Sequence, residues 1–223
     1  MSLVLNFAGT VEAVANNNEG FINKCGLYPV TIKFISFSQT STGSWKFDLN
    51  IEHKGASQVI WGSVFRDKDG EPVSIGARQM EALGTMIGLE PNSSLTTTTR
   101  TFNIGKDNKP TSFLIAEEFC DLEVQLRLQL EYSEYNGIRE NLVIRNIFRA
   151  EDGASAEEIR AGVPTEELGK QLRLEMENHN NGPIYRDGLT PEQVEEWIKG
   201  GRNKGTTPAP TSASTKKKTS MFG

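Results

Sequence analysis

The stretch that decides the fold is Cys120-Asp-Leu-Glu-Val-Gln-Leu-Arg-Leu-Gln-Leu-Glu-Tyr-Ser-Glu-Tyr-Asn-Gly-Ile-Arg-Glu-Asn-Leu-Val-Ile-Arg-Asn-Ile-Phe-Arg149. Cys120, Leu122, Val124, Leu126, Leu128 and Leu130 alternate with Asp121, Glu123, Gln125, Arg127, Gln129 and Glu131. A period of two puts one set on a buried face and the other in water, so this is a half-buried strand. Asn136-Gly137 supplies the two positive φ angles of a tight type I′ turn, and the chain returns through Leu142, Ile144, Asn146 and Phe148. The stretch therefore predicts one long β-hairpin.

Working outward, the same periodicity predicts three earlier strands. Gly26 to Gln39 is the first, with Val30, Ile32 and Phe34 on one face and Thr31, Lys33, Ile35 and Phe37 on the other. Ser44 to His53 is the second and Gln58 to Arg66 the third, closed by turns at Thr40-Ser-Thr-Gly43, Lys54-Gly55 and Asp67-Lys-Asp-Gly70. The period then changes. Ser74 is positioned to cap a helix over Ile75 to Ile87, with Ile75, Met80, Leu83, Met86 and Ile87 roughly on one face and Gly88 at its end. Leu95 to Lys109 is Thr- and Asn-rich and reads as a long loop or weak hairpin. Three strands, a helix and a closing hairpin are the element order of a five-stranded, partly open Greek-key OB barrel. The expected fold is thus mainly β: an OB-like barrel with one inserted helix and a C-terminal helical extension.

Composition divides the chain further. Residues 1–150 carry 14 Lys and Arg against 17 Asp and Glu, 151–198 carry 4 against 12, and 199–223 carry 6 against none, within a net charge of −5. The expected organisation is a barrel over 1–150, a separable acidic helical extension over 151–199 and a disordered basic tail over 200–223. In the extension, Ser155 to Ala161 and Thr165 to Asn178 read as helices, and Thr190-Pro191 with an acidic first turn starts a third. No run is long enough for a membrane helix, and the start lacks a basic, apolar leader, so a cytoplasmic protein is expected.

No catalytic constellation emerges. His53 and His179 lack ligand spacing to each other or to Cys25 and Cys120, and there is no Walker loop, GxGxxG or GxSxG. Acidic pairs such as Glu117-Glu118 read as solvated, so no cofactor, no metal and no enzymatic activity are expected. What remains is aromatic and cationic. Trp45 and Trp61 lie on strands, either in the barrel core or along its open groove. Tyr132 and Tyr135 flank the hairpin tip, either stacking on bases or covering the barrel end. Lys33, Lys46, Arg127, Arg145 and Arg149 fall on non-core faces, and Arg139 follows the turn. Aromatic stacking combined with cations tracking a phosphate backbone is how sheets hold single-stranded nucleic acid, and these ten residues are the candidate DNA contacts.

Leu5-Asn-Phe7, Glu19-Gly-Phe21, Gly26-Leu-Tyr-Pro-Val-Thr-Ile32 and Tyr135-Asn-Gly-Ile-Arg-Glu-Asn141 together resemble a family of small proteins from phage replication and recombination modules. The resemblance spans roughly residues 3 to 148. It implies an OB-like fold and single-stranded DNA binding in phage replication, recombination or transcription, in the host cytoplasm. It also implies replication, recombination or transcription proteins as partners and a possible homo-oligomer. Many proteins of that kind end in an acidic run before a terminal Phe, whereas Met221-Phe222 here follows Lys216-Lys-Lys218. An adaptor of a replisome or RNA polymerase, acting through protein contacts, is the alternative that suits the negative charge, and a metal nuclease is a third.

Overall fold

A computed structural model describes residues 20–90, 93–104, 109–168, 170 and 182–202. The protein is mainly β, built on one antiparallel sheet. Strands β1 (Gly26–Gln39), β2 (Trp45–His53) and β3 (Ala56–Arg66) lie where alternation and turn residues predict them. Helix α1 (Ser74–Met86) follows, then β4 (Thr97–Ile104), β5 (Lys109–Ala116), a 3₁₀ turn at Glu117–Phe119, β6 (Leu122–Glu134) and β7 (Ile138–Arg149). Helix α2 (Ala156–Ala161), the short β8 (Ile184–Tyr185) and helix α3 (Pro191–Lys199) complete the described chain. None of the helices among the described residues is long and apolar enough to cross a membrane.

The sheet runs β3-β2-β1-β5-β4, and the other half of β1 pairs with β6, which in turn pairs with β7 and β8. β1 is thus the spine. Its first half meets β6 from Gly26 opposite Leu128 to Ile32 opposite Leu122, and its second half meets β5 at Ser36 and Phe37. Among the described residues no ladder joins β3 to β7: the sheet is open, and of the partly open five-stranded barrel expected from the element order the structure shows the mainly β antiparallel sheet with helices. The sheet also has eight strands rather than five. The Thr-rich segment read as a long loop or weak hairpin is half of a regular hairpin, β4 pairing with β5 from Thr97 opposite Ala116 to Ile104 opposite Lys109.

The core face is lined by Ile32, Ile35, Phe47, Leu49, Ile51, Ile60, Leu126 and Leu128, all buried. Register shifts decide which residues reach it, one on the β1–β2 ladder and two on the β2–β3 ladder. On β1 the register passes from Ile32 opposite Ile51 to Phe34 opposite Asn50, leaving Lys33 as an extra residue. A one-residue insertion exchanges the two faces of a strand. Ile32 therefore shares the core face with Ile35 and Phe37, which pair with Leu49 and Phe47, while Phe34 turns to the opposite face. This corrects the grouping of Phe34 with Val30 and Ile32. On β3 the register passes from Trp61 opposite Asp48 to Val64 opposite Lys46, so Gly62 and Ser63 face the single residue Phe47. Beyond it, Phe65 packs on the core side with ring centroids 5.9 Å from Phe37 and 6.2 Å from Phe47. Trp61, of the same parity as Phe65, is left on the opposite face.

Helix α1 packs on β3 through glycine. A Cβ at Gly76 would stand 2.1 Å from the Val64 carbonyl oxygen, so only glycine admits this approach. The helix buries Gly76, Leu83, Gly84 and Thr85 while Ile75 is 66% exposed, which replaces the apolar stripe expected from Ile75. Ser74 is already helical and Val73 precedes it without a side-chain cap. At α2, Ser155 and Glu158 close a reciprocal capping box, and Arg160 donates to Thr85 Oγ1 and the Glu81 carbonyl of α1. At α3, Thr190 and Gln193 form another capping box with Pro191 at the first turn.

Two compact units result: residues 1–130 with 141–184, and residues 131–140 with 185–223. The boundary expected at residue 150 lies inside the first unit, where Phe148 bridges to Ser155 and Arg149 N–H donates to Ala154. The second unit joins the hairpin end to α3 around Tyr132, Leu189 and Val194. The tail expected to be disordered falls beyond residue 202, and most of the helix expected over 165–178 also falls outside the described residues.

Candidate nucleic-acid interface

The face of the sheet opposite the core is built by β5, β4, β1, β2 and β3 of the first unit. Phe34, turned there by the β1 bulge, stacks on Phe102 of β4 with centroids 3.9 Å apart and planes 8° off parallel, and meets Phe113 of β5 at 5.3 Å. Next across β1 and β2 comes a polar strip. Asn50 Nδ2 donates to Ser36 Oγ, and Ser36 Oγ donates to the Asp48 carbonyl, both at 3.4 Å. At β3 stands Trp61, 59% exposed. Lys46 Nζ lies 5.2 Å from the Trp61 ring centroid and donates to Asp48 Oδ2 at 3.0 Å. This run of aromatic rings, amide, hydroxyl and cation across one sheet face is mostly covered: Phe34, Ser36, Asp48 and Asn50 are buried, Phe102 and Phe113 half-buried, and Trp61 stands exposed. Strands stand about 4.8 Å apart, so from β3 to β4 it crosses roughly 19 Å.

Trp61 is the last residue of β3 before the bulge, set on this face by regular pairing with Asp48 just as Ile60 is set on the core face by Leu49. A Cβ on Gly62 would stand 2.0 Å from the Phe47 carbonyl oxygen, so only glycine lets β3 come this close to β2. The Gly62 N–H, released from the ladder, donates instead to Asp48 Oδ1 at 3.1 Å. The bulge re-aims the residues beyond it, bringing Phe65 to the core side. Trp45, by contrast, is half-buried at the start of β2, opposite Arg66.

The expected contacts on the other strands have local partners. Lys33, the extra residue of the β1 bulge, pairs with Asp121, which raises its pKa. Arg127 donates to Asn146 Oδ1 at 3.4 Å. Arg149 makes a two-point contact with Asp152, Nε to Oδ1 at 2.9 Å and Nη2 to Oδ2 at 2.6 Å, and the bond raises its pKa. Arg145 is exposed on β7.

In the second unit the two tip tyrosines part company. Asn136 and Gly137 take the positive φ angles expected of them, 54° and 106°. Tyr135 is 66% exposed with the Arg139 guanidinium 4.8 Å from its ring centroid. Tyr132 is 3% exposed. Its ring stacks on Tyr185 at 5.8 Å and meets Trp197 edge-on at 6.4 Å, and its hydroxyl donates to Glu140 Oε2 at 3.0 Å. Burial, with the Glu140 hydrogen bond and charge behind it, drives the phenol pKa well up. Tyr132 is therefore a core residue of this unit, which corrects its place among the candidate contacts.

Of the ten expected residues, the structure brings two pairs together: Lys46 with Trp61, and Arg139 with Tyr135. The sequence reading missed Phe34, Phe102, Phe113 and Asp48. The period-two spacing of Phe102 and Ile104 in Thr97–Ile104 was the available signal for the β4 hairpin. A cavity of about 320 Å³ lies elsewhere, lined by Ser155, Glu157, Glu158, Glu166, Glu167 and Lys170, and includes none of the expected contacts. Among the described residues no three of His, Cys, Asp and Glu converge as metal ligands. No protein-family model, curated protein or solved structure matches the chain.

Proposed function

We propose that this protein binds single-stranded DNA with little base preference and performs no chemistry on it. The observation that carries the reading is Trp61, a large ring standing 59% exposed beside a glycine-dependent bulge, with a cation held against it. Leaving so large an apolar ring in water has no folding benefit, whereas base stacking on exposed rings is worth about 1–3 kcal/mol per base. The half-buried Phe102 and Phe113 on the same face, and the Tyr135–Arg139 pair in the second unit, support it with the same chemistry.

An OB-like origin accords with this reading. If the β4–β5 hairpin is counted as an insertion, the order β3-β2-β1-β6-β7 with α1 after β3 follows the OB pattern, in which strand faces bind oligonucleotides. The family resemblance places such a protein in phage replication, recombination or transcription in a host cytoplasm, with proteins of those machines as partners and a homo-oligomer as a possible assembly. The adaptor reading has one observation in its favour: Lys33, Lys46 and Arg149 are already paired with carboxylates. Fluorescence anisotropy with labelled oligothymidylate and a matched duplex tests the choice. Micromolar or tighter binding to the single strand, with weaker duplex binding, is expected; no binding to either would leave the adaptor.

A further inference from the structure

We propose that Asp48 is the positioning residue of the Trp61 platform: its carboxylate stitches the β3 bulge and holds Lys46 on the indole, cancelling the lysine's charge so that the platform stacks bases without anchoring a phosphate. The inference rests on reading this face as a single-strand surface, and it goes beyond that reading by removing Lys46 from the phosphate contacts and assigning a role to a carboxylate.

The argument starts from the cost of burying a charge. The Asp48 side chain is 11% exposed, and a recessed carboxylate needs hydrogen-bond donors on both oxygens. It has them. Oδ1 accepts from the Gly62 N–H at 3.1 Å, and Oδ2 accepts from Lys46 Nζ at 3.0 Å. The first bond satisfies the amide that the bulge takes out of the ladder. The second fixes an ammonium that would otherwise swing on a four-carbon stem. That same ammonium lies 5.2 Å from the Trp61 centroid, so one carboxylate constrains the indole from two sides: through the backbone at the next residue and through the cation on its ring. The Lys46 side chain is only 31% exposed. A recessed ion pair does not trade its carboxylate for a phosphate as a surface pair does, so Lys46 contributes little counterion release on binding.

The test compares Asp48→Asn with Lys46→Met and, as a charge-matched control at an exposed turn, Asp69→Asn. The first readout needs no ligand. Indole ¹H–¹⁵N signals distinguish the three tryptophans, with the Trp61 signal assigned by its loss in Trp61→Phe. Asp48→Asn is expected to shift or broaden that signal and to relieve the upfield ring-current shift of the Lys46 Cε protons, and Asp69→Asn to leave both unchanged. An unmoved Trp61 signal in folded Asp48→Asn overturns the proposal. If Asp48→Asn does not fold, Lys46→Met carries the same test: the Trp61 signal must move while the Gly62 amide stays in place, and an unmoved indole overturns the proposal. The second readout is the salt dependence of oligothymidylate binding. Lys46→Met is expected to weaken binding several-fold with an unchanged log–log slope; a slope shallower by about 0.7, one lost phosphate contact, overturns the charge-cancelling role. Asp48→Asn is expected to steepen the slope by about the same amount, because the lysine is freed. Absence of binding by the unaltered protein would reject the single-strand reading, while the indole measurement would still judge the role of Asp48.

Discussion

Replacing Trp61 with Leu separates stacking from folding, because the ring is mostly outside the core. It is 59% exposed, so about two fifths of it is covered. A Trp side chain offers roughly 200 Å², of which about 80 Å² is then buried, worth about 2 kcal/mol at 25 cal/mol per Å². Leu recovers about half of that, leaving a stability loss of about 1 kcal/mol. In a chain of this size that shift lowers Tm by about 2–4 °C. The loss in binding is set by a different quantity, the stacking of one base at about 1–3 kcal/mol, or about a 5- to 150-fold rise in Kd. Anisotropy titrations with labelled oligothymidylate, run beside thermal melts followed by circular dichroism, measure the two effects in one preparation. Trp61→Phe keeps an aromatic face and is expected to fall between Leu and wild type. A folded Trp61→Leu protein whose Kd stays within twofold of wild type would refute the claim that this ring is a binding surface.

The two tip tyrosines are expected to respond in opposite ways. Tyr132→Phe removes a buried hydroxyl's bond to Glu140 and should cost about 1.5–3 kcal/mol of stability with Kd unchanged; Tyr135→Ala should raise Kd without lowering Tm. Exchange of these two outcomes would invert the assignment of the second unit. Gly62→Ala should destabilise more than Trp61→Leu, since its Cβ meets the Phe47 carbonyl oxygen at 2.0 Å; a melt equal to wild type would mean that the bulge is not constrained there. Burial raises the Glu158 pKa, but the backbone N–H groups of Glu166, Ser155 and Glu167 outweigh it and bring the carboxyl down to about 2. Its folded pKa lies below the unfolded value of 4.5, so its contribution is present above pH 4.5 and lost as pH falls toward 2. Glu158→Gln should therefore be less stable than wild type at pH 7 and approach it near pH 2, as read by urea melts across that range.

Where alternation and turn residues act locally, the sequence was legible. β1, β2 and β3 fall within a residue or two of their expected ends, the Asn136-Gly137 turn has its positive φ angles, a helix follows Ser155, and the Thr190 cap is in place. What was not legible depends on partners far along the chain. The β4 strand carries Thr where a strand usually carries large apolar residues, so its sequence leaves loop and weak hairpin open, and the pairing with β5 decides for the hairpin. Tyr132 reads as a tip residue until Tyr185 and Trp197 arrive to cover it. The bulges at Lys33 and Gly62 are the most consequential case. A period-two pattern assumes an unbroken register, so every residue beyond an inserted one is assigned to the wrong face. Phe34 was misgrouped with Val30 and Ile32 for this reason.

The net charge of −5 was the chief objection to a nucleic-acid reading, and the structure changes its weight. Exposed pairs such as Lys33 with Asp121 are worth about 0–1 kcal/mol, so they release their cations to a phosphate at little cost. The recessed Lys46–Asp48 pair does not. On the proposed reading, most of the binding energy must then come from ring faces, where each stacked base supplies as much as the breaking of an exposed pair costs, or more. What decides the activity is therefore where the rings stand, not how many cations the chain holds. Phe34 takes its face from the bulge at Lys33: were Lys33 paired in the ladder instead, Phe34 would share the core face with Ile32. Trp61 takes its face from regular pairing with Asp48. The bulge that follows it leaves the Gly62 amide for Asp48, the carboxylate that holds Lys46 on the Trp61 ring.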